Sequence, residues 1–407
     1  MANDIVQSIK QNASSLYKNK QYKEALDLYR KLYSKYKPYC DEWDARYYAW
    51  CIYRLEIKGK KDEDIARNES IFFKAANAIL NLASNNNDYA YIVTVFKVLD
   101  YLKSKEPFPA KEILTWTGKL DPAVLKIDCF SFQDKEGKTR ENSSNKEKYY
   151  SLRTKALEKN KEYKECLRLS EEALSILTKF HHDNDIWFKW RAASCKGHLG
   201  QKEQAIEELK QILSRKKDWY IQHEIATFCL DLKRFDEALK YAVDAALNYG
   251  EAEKKWKLFF LLGNILQAQA KSEEAKKHIL LSYQLRNENK WKIPQELQLK
   301  ITEFQINVNN LSSSRQIYSE LRGYWQSVQK SDLPRLRGRI KNILSNNLAG
   351  FIGGENNKDY YFNFRDFNDK ESEVKIGLQV EFSTGKSYDK KKERESERAV
   401  DINILKS

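Results

Sequence analysis

One small residue keeps returning inside amphipathic helical sequence: Cys166, Ala205, Ala238 and Ala275, at intervals of 39, 33 and 37 residues. Around each lies a similar set of positions. YYSLRTKALEKNKEYKECLRLSEEALSIL places Tyr163, Cys166 and Ala173 at helical spacing, and the next unit has Gly200, Ala205 and Ile212. Ala226, Phe235, Ala238 and Ala245 follow, then Gly263, Ala275 and Ser282. A small residue at a fixed point of every unit lets two helices approach closely. One such helix pair cannot bury its own apolar stripe, so the units have to stack on one another. This constrains the middle of the chain to an array of helix hairpins.

The same arrangement opens the chain. In SSLYKNKQYKEALDLYRKLYSKYKP, Tyr22, Ala25, Tyr29 and Leu32 recur at helical spacing, and Pro38 closes the unit. The pattern resembles the tetratricopeptide repeat, a helix–turn–helix of about 34 residues. Helical patterns continue through 43–57, 70–83, 89–102 and 110–120 with irregular spacing and are read as degenerate repeats or a helical cap, so that 1–125 forms a tetratricopeptide-like helical region. Residues 126–147 (KIDCFSFQDKEGKTRENSSNK and one more) lose the helical period and are read as a polar connector. The other reading of that segment is a second nucleic-acid or partner contact through Phe130, Phe132, Lys135, Lys138 and Arg140. Residues 148–330 carry the clear repeats and two closing helices, 294–308 and 312–329, with Trp325 sealing the last one.

From residue 331 the period changes to two. Arg337, Arg339 and Lys341 alternate with Gly338 and Ile340; Asn346-Asn347 supplies a turn; Ala349, Gly350, Phe351 and Ile352 make a short strand. Gly353-Gly354 turns again, and Tyr360 to Phe364 form a third, aromatic strand. Alternation puts Phe351, Tyr361 and Asn363 on the solvent face and turns Ile352, Tyr360 and Phe362 inward. Exposed rings beside exposed cations make a stacking surface in a positive field, the combination that single-stranded nucleic acid requires.

At these residues the chain resembles the cold-shock domain, a five-stranded oligonucleotide-binding (OB) barrel. Gly338 to Ile352 fits that family's opening, G-x-V-K-W-F-N-x-x-K-G-F-G-F-I, without a gap. Tyr360, Tyr361, Phe362, Asn363 and Phe364 fall on x-V-F-V-H-F. Gly377, Val380 and Phe382 match G-x-x-V-x-F, and 399–405 reads as the closing strand. The resemblance implies base stacking by Phe351, Tyr361 and Phe364, backbone contacts by Arg339 and Lys341, and hydrogen bonding by Asn363 in place of histidine. Lys358, in the turn before the third strand, completes the expected nucleic-acid-binding set. Three positions depart from the family: Asn342 stands for its first-strand tryptophan, Ala349 for an aromatic and Asn347 for lysine. Residues 383–398 are read as a polar loop carrying Lys390 to Lys392, either tracking a phosphate backbone or simply solvated.

The net charge of +14 favours an anionic partner, yet residues 331–407 hold 15 Lys+Arg against 13 Asp+Glu, a net +2, leaving +12 on the helical part. Six cysteines form no C-x-x-C pair, the start is polar, and no apolar run reaches membrane-spanning length. A reduced, cytoplasmic protein with no membrane span is the expectation. No phosphate loop, dinucleotide fingerprint, nucleophile elbow or H-E-x-x-H motif occurs, so neither an enzyme nor a cofactor is expected. His181-His182 with Asp183 and Asp185 reads as helix capping and surface rather than a metal site. The fold class expected is α+β multidomain: an all-α tetratricopeptide-like solenoid, then a cold-shock-type barrel over 331–407. The function expected is a non-enzymatic adaptor, with a protein or peptide partner in the helical groove and single-stranded RNA or DNA on the barrel. Regulation of RNA, or recruitment in a bacterial stress or defence assembly, suits that architecture by analogy. The alternative is a pure protein-interaction scaffold or regulator of a partner enzyme, with a structural barrel.

Overall fold

The protein is described from a computed structural model covering residues 2–83, 88–308, 311–331, 334–345, 348–389 and 394–405. It divides into two compact units, Met1–Ile212 and Leu213–Ser407. The first contains α1 (Ala2–Lys18), α2 (Tyr22–Lys35), α3 (Glu42–Ile52), α4 (Asp62–Arg67), α5 (Glu69–Leu82), α6 (Tyr89–Lys103) and α7 (Ala110–Thr117). The strands β1 (Phe130–Gln133) and β2 (Thr139–Asn142) follow, then α8 (Asn145–Lys159), α9 (Tyr163–Ile176), α10 (Asn184–His198) and α11 (Lys202–Arg215), which runs over the division. The second contains α12 (Trp219–Asp231), α13 (Phe235–Leu247), α14 (Trp256–Ala268), α15 (Ser272–Glu288), α16 (Gln295–Glu303) and α17 (Ser314–Ser331). Its strands are β3 (Arg335–Ile343), β4 (Ala349–Gly354), β5 (Asp359–Asn363), β6 (Gln379–Asp389) and β7 (Arg394–Ile404). The fold is thus tetratricopeptide-like helix hairpins followed by a closed five-stranded barrel.

Five hairpins, α1–α2, α8–α9, α10–α11, α12–α13 and α14–α15, share one turn. In each, a residue in the left-handed region (Lys20, Lys161, Gly200, Lys233 or Ala270, φ between 58° and 100°) ends the first helix. The next N–H then reaches back five residues: Gln21 to the Leu16 carbonyl, Glu162 to Leu157, Gln201 to Lys196, Arg234 to Cys229 and Lys271 to Leu266, all at 2.8–2.9 Å. This six-to-one bond is the Schellman closure of a helix. Five positions beyond each left-handed residue stand Ala25, Cys166, Ala205, Ala238 and Ala275, every one fully buried. The recurrent small residue therefore lies in the first turns of each second helix, where it leaves room for its partner. At Gly263 the fit is tighter still, because a methyl group there would come within 2.5 Å of the Ile279 side chain across α14–α15.

Residues 126–147 are more ordered than a connector. Phe130-Ser131-Phe132-Gln133 pairs antiparallel with Thr139 to Asn142, the two strands joined by a turn in which the Asp134 carboxylate accepts the N–H groups of Glu136 and Lys138. Arg140 and Lys138, two of the cations offered to a partner, are held by Asp134 at 2.5 Å and Glu136 at 2.9 Å.

In the second unit α17 closes over α13 and α15. Trp325 is fully buried, stacked on Phe259 with centroids 5.4 Å apart, and its indole N–H donates to His278 Nε2 at 2.8 Å. With Nε2 accepting, His278 carries its proton on Nδ1 and donates it to the Glu274 carbonyl at 2.7 Å. Burial in this apolar pocket pushes the imidazole pKa down to about 4. A histidine depressed in the folded state binds fewer protons than the unfolded chain between pH 6.5 and 4, so stability is lost as pH falls through that window. The full effect is about 3 kcal/mol. Chemical denaturation at pH 7 and pH 4.5 is expected to show a smaller acid loss in His278→Gln than in the wild type; equal losses contradict this account.

The barrel closes in the order β3-β4-β5-β7-β6, with β6 returning to β3. All neighbours are antiparallel except β5 and β7, which is the OB arrangement. Ile340, Ile352, Tyr360, Phe362, Val380, Phe382, Ala399 and Ile402 fill its interior. The segment read as a polar loop, 383–398, is mostly strand. β6 and β7 continue as an antiparallel ribbon, in backbone register from Gly385 opposite Arg398 to Asp389 opposite Arg394. Asn346, Asn347 and Lys390 to Lys392 lie outside the described residues.

Candidate nucleic-acid interface

β4 and β5 supply the aromatic pair. Phe351 and Tyr361 are directly opposite each other in the ladder, their rings edge-to-face with centroids 5.7 Å apart, and both are half-buried. Their chain neighbours Ile352, Tyr360 and Phe362 are buried inside the barrel, as the period of two requires. The Tyr361 hydroxyl donates to Asn363 Oδ1 at 3.2 Å, fixing the amide beside the ring.

β3 supplies the cations. Arg339 is exposed and lies opposite Gly353, whose missing side chain leaves the surface open; a Cβ there would come within 2.5 Å of the Lys341 side chain. A bulge between Ile340 and Asn342 makes Lys341 the extra residue of this strand. Lys341 spans to Asp359 at 2.5 Å, with both partners exposed. An exposed pair of this kind contributes little to stability and exchanges readily for another anion. Lys358 is exposed in the β4–β5 turn, where its carbonyl accepts the Gly354 N–H.

The face therefore unites Arg339, Lys341, Phe351, Tyr361 and Asn363, with Lys358 at its rim. Phe364 does not belong to it. β5 ends at Asn363, which caps a 3-10 turn over Phe364–Asp366, and the turn swings Phe364 inward against Phe362 and Phe367. Only 9% of its surface is exposed. Sequence reasoning also missed Arg398. It lies opposite Tyr361 across the parallel β5–β7 contact and is paired with Asp366 at 3.0 Å. Asn342 faces Phe351 across β3–β4 and is exposed, whereas Ala349 is buried. Neither offers a ring.

Apart from this face, a cavity of about 690 Å³ in the first unit is lined by Tyr33, Cys40, Tyr48, Ala78 and Leu82 among others. Tyr39 and Trp43, neighbours of its lining in sequence, are 55% and 60% exposed.

Residues 186–323 match a protein family described as a domain of unknown function, DUF7017. No curated protein matches the chain. Among solved structures, a tetratricopeptide repeat protein from Parabacteroides merdae is similar at 10% identity, over 74% of this chain and 99% of its own, with a TM-score of 0.40. BtubC from P. vanneervenii is similar at 13% identity, over 70% and 94%, with a TM-score of 0.32. The tetratricopeptide domain of P58(IPK) is similar at 15% identity, over 66% and 67%, with a TM-score of 0.27. No described helix is long and apolar enough to cross a membrane.

Proposed function

We propose that this protein is a non-enzymatic adaptor whose helix hairpins hold a protein or peptide partner while its terminal barrel, of cold-shock type, binds single-stranded RNA or DNA. The observation that carries this reading is the Phe351–Tyr361 pair, half open to solvent on the β4–β5 face and flanked by Arg339 and Lys341. That face is the one OB barrels offer to oligonucleotides. Stacking on two rings tolerates any base, and the cations track the backbone. Two modest contacts on one chain reinforce each other by raising the local concentration of the second partner.

A titration of the full chain with a short fluorescent single strand at several salt concentrations tests this reading. Three phosphate contacts, from Arg339, Lys341 and Lys358, predict a slope of log affinity against log salt of roughly −2, and Arg339→Gln is expected to reduce its magnitude by about 0.7. Salt-independent binding, or an unchanged slope in the variant, contradicts it.

A second reading is a pure protein-interaction scaffold. It is favoured by the ion pairs that occupy Lys341 and Arg398 and by the ringless residues at Asn342 and Ala349. It predicts copurification with a defined protein and no nuclease-sensitive absorbance at 260 nm.

A further inference from the structure

Cys129, just before β1, Glu141 on β2 and His181, between α9 and α10, come together in the first unit. The thiol sulfur, a carboxylate oxygen and a ring nitrogen all lie within 4.8 Å of one another, and all three residues are half-buried. His181 Nε2 is 3.2 Å from Glu141 Oε1. The other ring nitrogen, Nδ1, is 2.7 Å from Oε2 of Glu147, a carboxylate with no exposed surface. Glu147 is itself locked in place: its Oε1 accepts the His181 backbone N–H and the Asn184 side-chain amide, both at 2.7 Å.

That buried carboxylate sets the orientation of the imidazole. With Nδ1 held against Glu147, Nε2 faces the space shared with Cys129 and Glu141, and an ion bound there would replace the Nε2–Glu141 contact, the arrangement that prepares a histidine for a cation. Lys179 holds the far oxygen of Glu141 at 2.6 Å, which leaves Oε1 turned toward the imidazole. We propose that Cys129, Glu141 and His181 form a binding site for a zinc-class transition-metal dication, with one coordination position left open. Thiolate, imidazole and carboxylate together select such ions over magnesium or calcium, which take oxygen ligands. In a tetrahedral site with the usual bond lengths the donor atoms stand roughly 3.3–3.6 Å apart. The nitrogen–oxygen separation of 3.2 Å is already close to this, and Cys129 has to close by about 1.5 Å at most. The ion would clip the β1–β2 hairpin to the α9–α10 junction.

The test uses the full chain, stripped of metal and titrated with Co²⁺ as a spectroscopic probe. The expected result is one Co²⁺ per chain with a thiolate-to-metal charge-transfer band, displaced by Zn²⁺ and unaffected by excess Mg²⁺. Cys129→Ser, a change at a half-exposed position, is expected to abolish that band and weaken binding at least tenfold. Glu147→Gln, which touches no metal, is expected to weaken binding about 10–100-fold. Circular dichroism checks that each variant is folded. Absence of stoichiometric uptake, an unchanged spectrum and affinity in Cys129→Ser, or displacement by Mg²⁺ overturns the assignment.

Discussion

Replacing Phe351 and Tyr361 together with alanine is expected to weaken single-strand binding by roughly 2–6 kcal/mol, at least about thirtyfold, because each stacked base contributes about 1–3 kcal/mol. The two rings touch each other, so the single variants should not add up to the double one. Both rings are half-buried on the outside of the barrel, and the interior is filled by other residues. The double variant should therefore keep its thermal transition close to that of the wild type. Polarisation titrations of both proteins at one low salt concentration measure the effect. An affinity unchanged in the double variant removes the stacking role.

Trp325→Ala is expected to destabilise the second unit by about 3–5 kcal/mol, the cost of emptying a fully packed aromatic site. The loss has three sources in the structure: the stack on Phe259, the edge contact with Tyr318 and the hydrogen bond to His278. Trp325→Phe keeps a ring in the pocket but strips His278 of its donor, and should cost less than alanine does. Urea unfolding of the full chain separates these cases, and a cost below about 1 kcal/mol for alanine contradicts the packing described.

The helix hairpins were legible because close packing leaves a mark in residue size. Ala25, Cys166, Ala205, Ala238 and Ala275 recur where a larger side chain has no room. The turn that sets their position left no such mark. Four of the five left-handed residues are lysine or alanine rather than glycine, so nothing in the sequence singled them out. The barrel strands followed from the period of two, and the ribbon of β6 and β7 was mistaken for a loop because its residues are polar on both faces. Which residues stand opposite each other along the ribbon, such as positions 386 and 397, follows only from the backbone register. Half of the candidate face was readable for the same reason: alternation assigns Phe351 and Tyr361 outward. Phe364 was misplaced because a 3-10 turn breaks the alternation at Asn363. Arg398 was missed because a parallel contact between the third and fifth barrel strands brings distant residues together without any local pattern. The same holds for Cys129, Glu141 and His181, which only the folded chain collects.

Ultraviolet cross-linking of a short single-stranded oligonucleotide to the full chain, followed by mass spectrometry of the modified peptides, probes the β4–β5 face itself. Adducts on Phe351 and Tyr361, lost when a longer single strand competes and kept when a duplex does, are the result expected. Adducts confined to the helical residues, or none at concentrations that saturate binding, would show that the barrel does not hold the strand.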